Sequence, residues 1–340
     1  MESILGIDIG THSIKLIEIG REKDSIVLLA AGSMPTPVKA LSSNVTADFE
    51  AIAYVIKQLV KETGAKSNKV NIALPESQVF TRVIEVPQLS KRELTSAIQW
   101  EAEQYIPLPL DQVNMDFTIL RDAKTTANGK MEVLLIAAPK ALVERYMTIL
   151  ELADLVPEYA ETEIIAGTRA IAKSVAAIKN VMLLAIGAQT TDITILHGGI
   201  IAFTRSISAG GEALSRALSQ GLDFTVVQAE EYKKTYGLQK GMLEGKLVAV
   251  MDPIMITIMN EIKRAIAFFG EKYVNERIEA IVLSGGTAKL PGIVSYMTEA
   301  VNIETQLANP WIGIEKEARF AVLSAEGPLF AVAVGLAIRS

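Results

Sequence analysis

The chain has 340 residues, half of them hydrophobic, a formal net charge of −6 and no cysteine. That length and apolar content suit two domains around large cores and exclude a disordered or fibrous chain. Acidic and basic residues are interspersed, which excludes a general nucleic-acid binder; disulfides and thiolate metal sites are impossible, and two isolated histidines, His12 and His197, do not make a zinc site.

Met1-Glu2-Ser3 runs straight into an apolar strand without the basic region of a signal peptide, so a cytoplasmic location is expected. Leu5–Ile19 reads as strand, small polar turn and strand, and Leu184–Leu196 repeats that pattern far downstream. The separation points to two related domains, each offering one hairpin to a shared cleft, and not to a solenoid. Between the repeats, residues 40–63 carry a helical pattern and Val70–Pro87 an alternating, strand-like one.

Ser90-Lys-Arg-Glu93 is a capping box that opens a helix running to about Ile106, ended by Pro107 and Pro109. Its apolar stripe is Leu94, Ile98, Ala102 and Tyr105, and Trp100 lies off that stripe, facing either outward or another subdomain. Strands around 113–119 and 131–138 and a helix at 140–153 complete a compact β-α-β-β-α insert. After the second hairpin, Gly210-Gly211 marks a strand-to-helix turn, helices follow at 225–236 and 254–273, and the chain closes with strand 280–283, the Gly285-Gly286 turn and helix 292–300. The longest apolar run, Pro328–Ile338, is shorter than the ~18–20 residues that span a bilayer and reads as a buried helix.

Clustered negative charge, as on a nucleotide triphosphate, is best held by backbone amides in tight turns, where small residues allow close approach. Gly10-Thr11-His12-Ser13 and Gly187-Ala188-Gln189-Thr190-Thr191 both meet that need, with hydroxyls on Thr11, Ser13, Thr190 and Thr191 as further donors. Lys15 either neutralises charge there or points to solvent, and Asp8 is placed to hold Mg2+ through water.

The two hairpins, Gly210-Gly211, Ala229–Lys233 and Val282–Gly292 come in an order and spacing that resemble the actin, heat-shock-70 and sugar-kinase superfamily. The resemblance implies an α/β, actin-like (ribonuclease H-like) two-domain fold with ATP or ADP in the cleft. Glu230 and Lys233 would then reach ribose and base, and Gly285, Gly286 and Thr287 would line the base. Within the insert, Phe80–Pro87 and Glu93–Val113, with its Trp100-Glu-Ala-Glu-Gln-Tyr-Ile-Pro107 string, are similar to the PilM family of type IV pilus assembly proteins, as are Glu132–Pro139, Asn309–Trp311 and Gly327–Gly335.

Family resemblance implies an FtsA-type 1C subdomain at 71–160, with 1–70 and 161–180 as subdomain 1A, 181–220 and 276–326 as 2A, 221–275 as 2B, and 327–340 as the last helix of 1A. It implies a cytoplasmic scaffold that binds the N-terminal cytoplasmic peptide of PilN between 1A and 1C, and through it the inner-membrane PilN/PilO platform, with self-association open and no nucleic acid. Trp100 is then a candidate for the peptide groove, or else packing between subdomains.

One departure matters. The second phosphate strand ends Ala185-Ile186-Gly187 where the superfamily has Asp-Ile-Gly, and alanine can neither accept a proton nor order a water. Gln189 is no base, and Asp192 would have to reach back from the returning strand. Nucleotide binding with weak or absent hydrolysis is therefore expected, and no catalytic residue is assigned. An FtsA-like filament protein is the alternative, disfavoured by the expected lack of a C-terminal amphipathic helix; a sugar or acetate kinase lacks a convincing carboxylate.

Overall fold

The computed structural model describes residues 2–22, 25–38, 40–42, 45–126 and 128–339. In chain order the first part contains β1 (Glu2–Ile9), β2 (Ser13–Glu22), β3 (Ser25–Pro35), α1 (Thr46–Thr63) and β4 (Lys69–Leu74). Then come β5 (Phe80–Val86), α2 (Lys91–Tyr105), β6 (Val113–Arg121), β7 (Met131–Pro139), α3 (Lys140–Leu152), β8 (Val156–Thr162) and α4 (Glu163–Ile171). The second half holds β9 (Asn180–Ile186), β10 (Thr191–His197), β11 (Ile200–Ile207), α5 (Gly211–Gly221), α6 (Val226–Tyr236) and α7 (Lys246–Lys272). It ends with β12 (Ala280–Ser284), α8 (Ile293–Val301), β13 (Glu304–Leu307) and α9 (Gly327–Ala337).

The internal repeat has a structural counterpart. Two five-stranded sheets share one topology, β3-β2-β1-β4-β8 and β11-β10-β9-β12-β13, each an antiparallel meander extended by two parallel strands. Their central strands are apolar on both sides because each sheet is covered on both faces. In the first, Leu5, Ile7 and Leu16 pack with Ile52 and Ile56 of α1, whereas Ile17, Ile19 and Leu28 meet Phe330 and Val334 of α9. In the second, Leu184, Ile193 and Ile195 face Leu214 of α5 and Ile258 and Ile262 of α7, while Leu183 and Val282 face Ile171 of α4 and Ala331 of α9. Helices α4 and α9 thus form a shared layer between the sheets.

A third sheet, β5-β7-β6, stands apart, with Leu94, Ile98 and Ala102 of α2 buried on one face as the stripe predicts. The capping box is formed: Ser90 Oγ accepts from the Glu93 amide at 3.4 Å, and the Glu93 carboxylate accepts from the Ser90 amide at 2.9 Å. This sheet is narrower than the expected 71–160 insert, because β4 and β8 belong to the first sheet and α3 packs in its core with Tyr146 and Ile149.

Three expectations need correction. Val70–Pro87 is not one strand: Pro75 leads into a short 3-10 turn that sends β4 and β5 to different sheets. The expected helix at 254–273 begins at Lys246 and carries Pro253 inside it. The helical pattern at 40–63 resolves into a 3-10 turn, Ala40–Ser42, and α1, with residues 43 and 44 outside the described set. Among the described residues one helical stretch, Ala318–Ala337, is long and apolar enough to cross a bilayer, with mean hydropathy 1.8. Its second half is α9, where Phe330, Ala333, Val334 and Leu336 are buried in the shared layer as core.

Candidate nucleotide cleft

Each hairpin turn is closed by its own backbone. The Gly10 amide donates to Ser13 O at 3.1 Å and the Gly187 amide to Thr190 O at 2.9 Å, so the two turns are built alike. They face one another across a cavity of about 880 Å³ lined by Asp8, Gly10, Thr11, His12, Ser13 and Lys15 on one side and Gly187, Gln189 and Thr190 on the other. Glu230, Lys233, Gly285, Gly286 and Thr287 line the same cavity, with Gly211 at the first turn of α5. A helix amino terminus exposes free amides, which suits an anion.

The glycines are needed for close approach. A Cβ on Gly211 would sit 2.5 Å from Thr287 Oγ1, and one on Gly10 2.9 Å from Lys15 Nζ. Gly285 has φ +84°, and a Cβ there would lie 2.5 Å from Ile186 O. Gly210 does not line the cavity; it supports the second turn from behind, where a Cβ would lie 2.7 Å from Ala188 O. Thr287 Oγ1 donates to Gly187 O at 2.9 Å, and the Gly211 amide to the same carbonyl at 2.9 Å, tying the Gly285–Thr287 turn and the start of α5 to the second hairpin turn.

Lys15 turns into the cleft and not to solvent: its Nζ lies 3.0 Å from Asp8 Oδ2, and both side chains are about nine-tenths buried. Thr191, like Gly210, departs from expectation. Its hydroxyl donates to Ala209 O at 2.7 Å and the residue is fully buried, so it braces the turn instead of offering a donor to the cleft. His12 reaches across the cleft rim to Glu212 Oε1 at 2.8 Å. Glu230 accepts from Lys233 at 2.6 Å and Ser215 at 2.5 Å; burial opposes its charge, but those hydrogen bonds outweigh it and hold the carboxyl down to about 2. Burial lowers Lys233 in turn, with Glu230 opposing. Trp100 is 67 % exposed on α2, which removes the reading in which it packs between subdomains.

Two carboxylates that carry no motif join the cleft. Asp192 does not need to reach back: hairpin register places it directly beside Ala185, and it lines the cavity while accepting from Ser206 at 2.5 Å. Glu163, the first residue of α4, lines the cavity too and accepts from the Glu76 amide at 3.2 Å. Burial raises Asp192 to about 6, against the Ser206 bond, and burial with the Asp192 and Asp8 charges raises Glu163 well above the usual range.

Behind them, burial and the Asp192 charge push Glu76 up to about 8, and its Oε2 has no hydrogen-bond partner among the described residues. A carboxyl raised in the folded state from 4.5 to about 8 binds a proton that the unfolded chain has released, so stability falls as pH rises through that window. Glu76→Gln removes this penalty. Urea midpoints should show the variant gaining on the wild type between pH 5 and pH 8 by about 2–4 kcal/mol, whereas a difference that does not change with pH would contradict the assignment.

A bare triphosphate would bring its negative charge beside the carboxyl groups of Asp8, Glu163 and Asp192; a divalent cation would reconcile the two sets. Among the described residues no three His, Asp or Glu side chains converge as a direct ligand set. The residues therefore fit a cation held largely by water and phosphate, as Mg2+ prefers.

The model of the family described as type IV pilus assembly protein PilM matches residues 6–340. The chain belongs to the PilM family. A solved structure entitled PilM-PilN type IV pilus biogenesis complex has 30 % identity and a TM-score of 0.87, covering 99 % of this chain and 98 % of that one. Cell division protein FtsA of Bacillus subtilis (strain 168) is 21 % identical over 363 residues, covering 92 % of this chain and 80 % of FtsA. MreB 5 of Spiroplasma citri, solved bound to AMPPNP, shares 13 % identity at a TM-score of 0.54, covering 98 % and 95 %. The fold of this PilM-family chain is accordingly the actin-like one, and its cleft lies where the two related sheets face each other.

Proposed function

We propose that this chain is a cytoplasmic scaffold of the type IV pilus assembly platform, or of a related competence or secretion machine. It binds ATP or ADP with Mg2+ and takes the N-terminal cytoplasmic tail of PilN between its first domain and the third-sheet insert, here read as subdomain 1C. The observation that carries the nucleotide half is the buried Lys15–Asp8 pair set between two glycine-backed turns of like build. Family membership and the similarity to a PilM-PilN complex support the partner half.

In this reading Lys15 and the turn amides hold the phosphates, Asp8 holds Mg2+ through water, and Glu230 with Lys233 faces the ribose. The cation neutralises phosphate charge when bound. Ala185 leaves the second phosphate strand without its carboxylate; of the two carboxyl groups that remain nearby, Asp192 is engaged by the Ser206 hydroxyl, and Glu163, buried and raised well above the usual range, favours the protonated form in the empty cleft. Turnover is therefore slow. A fluorescent ATP analogue should bind with Mg2+ and lose most of its affinity in EDTA, while steady-state phosphate release stays near background. Ready release abolished by Asp8→Ala would make the chain an ATPase and overturn this part.

Trp100, exposed on α2 of the insert, is the candidate contact for the PilN tail. Trp100→Ala should weaken the peptide about tenfold, the effect of losing one aromatic anchor.

A further inference from the structure

The insert is joined to the first domain by the chain and by apolar packing, and to the second domain by an ionic network as well. Its covalent links are two adjacent crossings, Pro75–Val79 and Pro139, where Val79, Ile136 and Ala138 touch the first domain's core. Against the second domain it presents a balanced ionic network. Lys272, at the end of α7, lies 2.7 Å from Glu132 Oε1 and 2.9 Å from Glu85 Oε1. Arg121 binds Glu132 Oε2 at 2.8 Å, donates to Tyr273 Oη at 2.9 Å, and donates to His197 O at 2.5 Å. Glu85, Arg121 and Glu132 come from the three strands of the insert, while Lys272, Tyr273 and His197 belong to the second domain. Glu132 is 3 % exposed, so its partners are not exchangeable with water. At the other end of β5, Thr204 Oγ1 donates to Thr81 O at 3.1 Å, and between the two, Leu134, Val83 and Ile136 pack with Leu196 and Ile201 of the second domain, in a cluster that also takes in Ile164 and Ile165 of α4.

We propose that this network is a latch that makes the insert travel with the second domain, so that any change in the cleft re-poses the insert against the first domain. This rests on the nucleotide-binding scaffold reading for its purpose: the surface between insert and first domain, where the PilN tail would lie, is the one that changes shape when the cleft closes. The latch itself belongs to the fold and is present without nucleotide. Two closely spaced single-chain crossings resist rotation about the line between them less than a desolvated two-cation, two-carboxylate cluster resists shear.

The full chain has no cysteine, so paired labels report cleanly. Spin labels at exposed positions in Glu103→Cys/Asn260→Cys span insert and second domain, and those in Glu103→Cys/Glu62→Cys span insert and first domain. With and without ATP and Mg2+, the 103–260 distance should stay fixed while the 103–62 distance shifts. In the nucleotide-free protein, Lys272→Met should broaden and lengthen the 103–260 distribution. The triple variant Arg121→Met/Glu132→Gln/Lys272→Met, which strands no buried charge and so keeps the fold, should do the same. A 103–62 distance that holds while 103–260 moves, or a 103–260 distribution unchanged in the folded triple variant, overturns the proposal. Should no nucleotide bind at all, the scaffold reading fails, and the nucleotide-free variants still decide the latch.

Discussion

Gly335→Ala should lower the stability of the whole molecule by about 3 kcal/mol or more, read as a lower urea midpoint. A single methyl group is an overpacking cost only where neighbours cannot yield, and here they are main chain. A Cβ at position 335 would lie 1.8 Å from Ala166 O and 2.5 Å from Ala166 C, so it could be admitted only by separating α9 from α4. Those two helices are the layer on which both sheets rest: Gly6 of β1 approaches the same α9, where a Cβ would come within 2.1 Å of Ala333 O, and Ala331 faces the second sheet. The start of α9 also reaches the cleft, because Pro328 O accepts from the Gly285 amide at 2.8 Å and Pro328, Leu329 and Val332 line the cavity. Separating the helices would therefore loosen the cleft as well as the core. Gly270→Ala is the control. Nothing lies within 4 Å of the added Cβ in α7, and replacing a helical glycine should raise stability by about 0.5–1 kcal/mol. Equal midpoints for the two variants would contradict this view of the interdomain layer.

Lys15→Met should reduce Mg-ATP affinity by on the order of 100-fold, equivalent to about 3 kcal/mol. The side chain does two things at once. It neutralises Asp8 at 3.0 Å, and it places a cation in the cleft against the Gly10 backbone, where a Cβ would lie 2.9 Å from Nζ. Removing it strands a carboxylate that is 6 % exposed next to an incoming polyanion, so the loss includes repulsion as well as a missing attraction. Lys15→Met/Asp8→Asn should therefore recover part of the affinity when assayed at high Mg2+. Titration with a fluorescent nucleotide reads both variants, and a single variant that binds like the wild type would remove Lys15 from the site.

The elements that carry this site were legible to different degrees, for physical reasons. Glycine turns between apolar strands announce themselves, and both hairpins, the Gly285-Gly286 turn and the capping box at Ser90 were readable because each is a local rule satisfied by adjacent residues. Lys15 could not be oriented from alternation alone, since β2 is buried on both faces and both directions are interior. Thr191 and Asp192 depended on register: pairing Thr191 with Ile186 and Asp192 with Ala185 turns one hydroxyl to the Ala209 carbonyl and sets the next carboxylate beside the alanine. Register is a property of two strands, not of a motif in one. Glu163 and Glu76 carry no signal at all, because they meet only after β8 and β4 pair in the first sheet. The expected helix starts just after Pro253, a residue that usually opens or breaks a helix; α7 continues through it, with Met251 and Met255 anchored in the core on either side.

Because the latch would carry a change in the cleft to the surface proposed for the PilN tail, nucleotide and peptide are expected to change each other's affinity, and by the same factor. The most direct test is calorimetric titration of the full chain with a synthetic peptide of the PilN N-terminal cytoplasmic tail, once without nucleotide and once with saturating ATP and Mg2+. The account predicts that the peptide binds in both states with affinities differing by about fivefold or more. Identical affinities at verified nucleotide occupancy, or no peptide binding in either state, would contradict it.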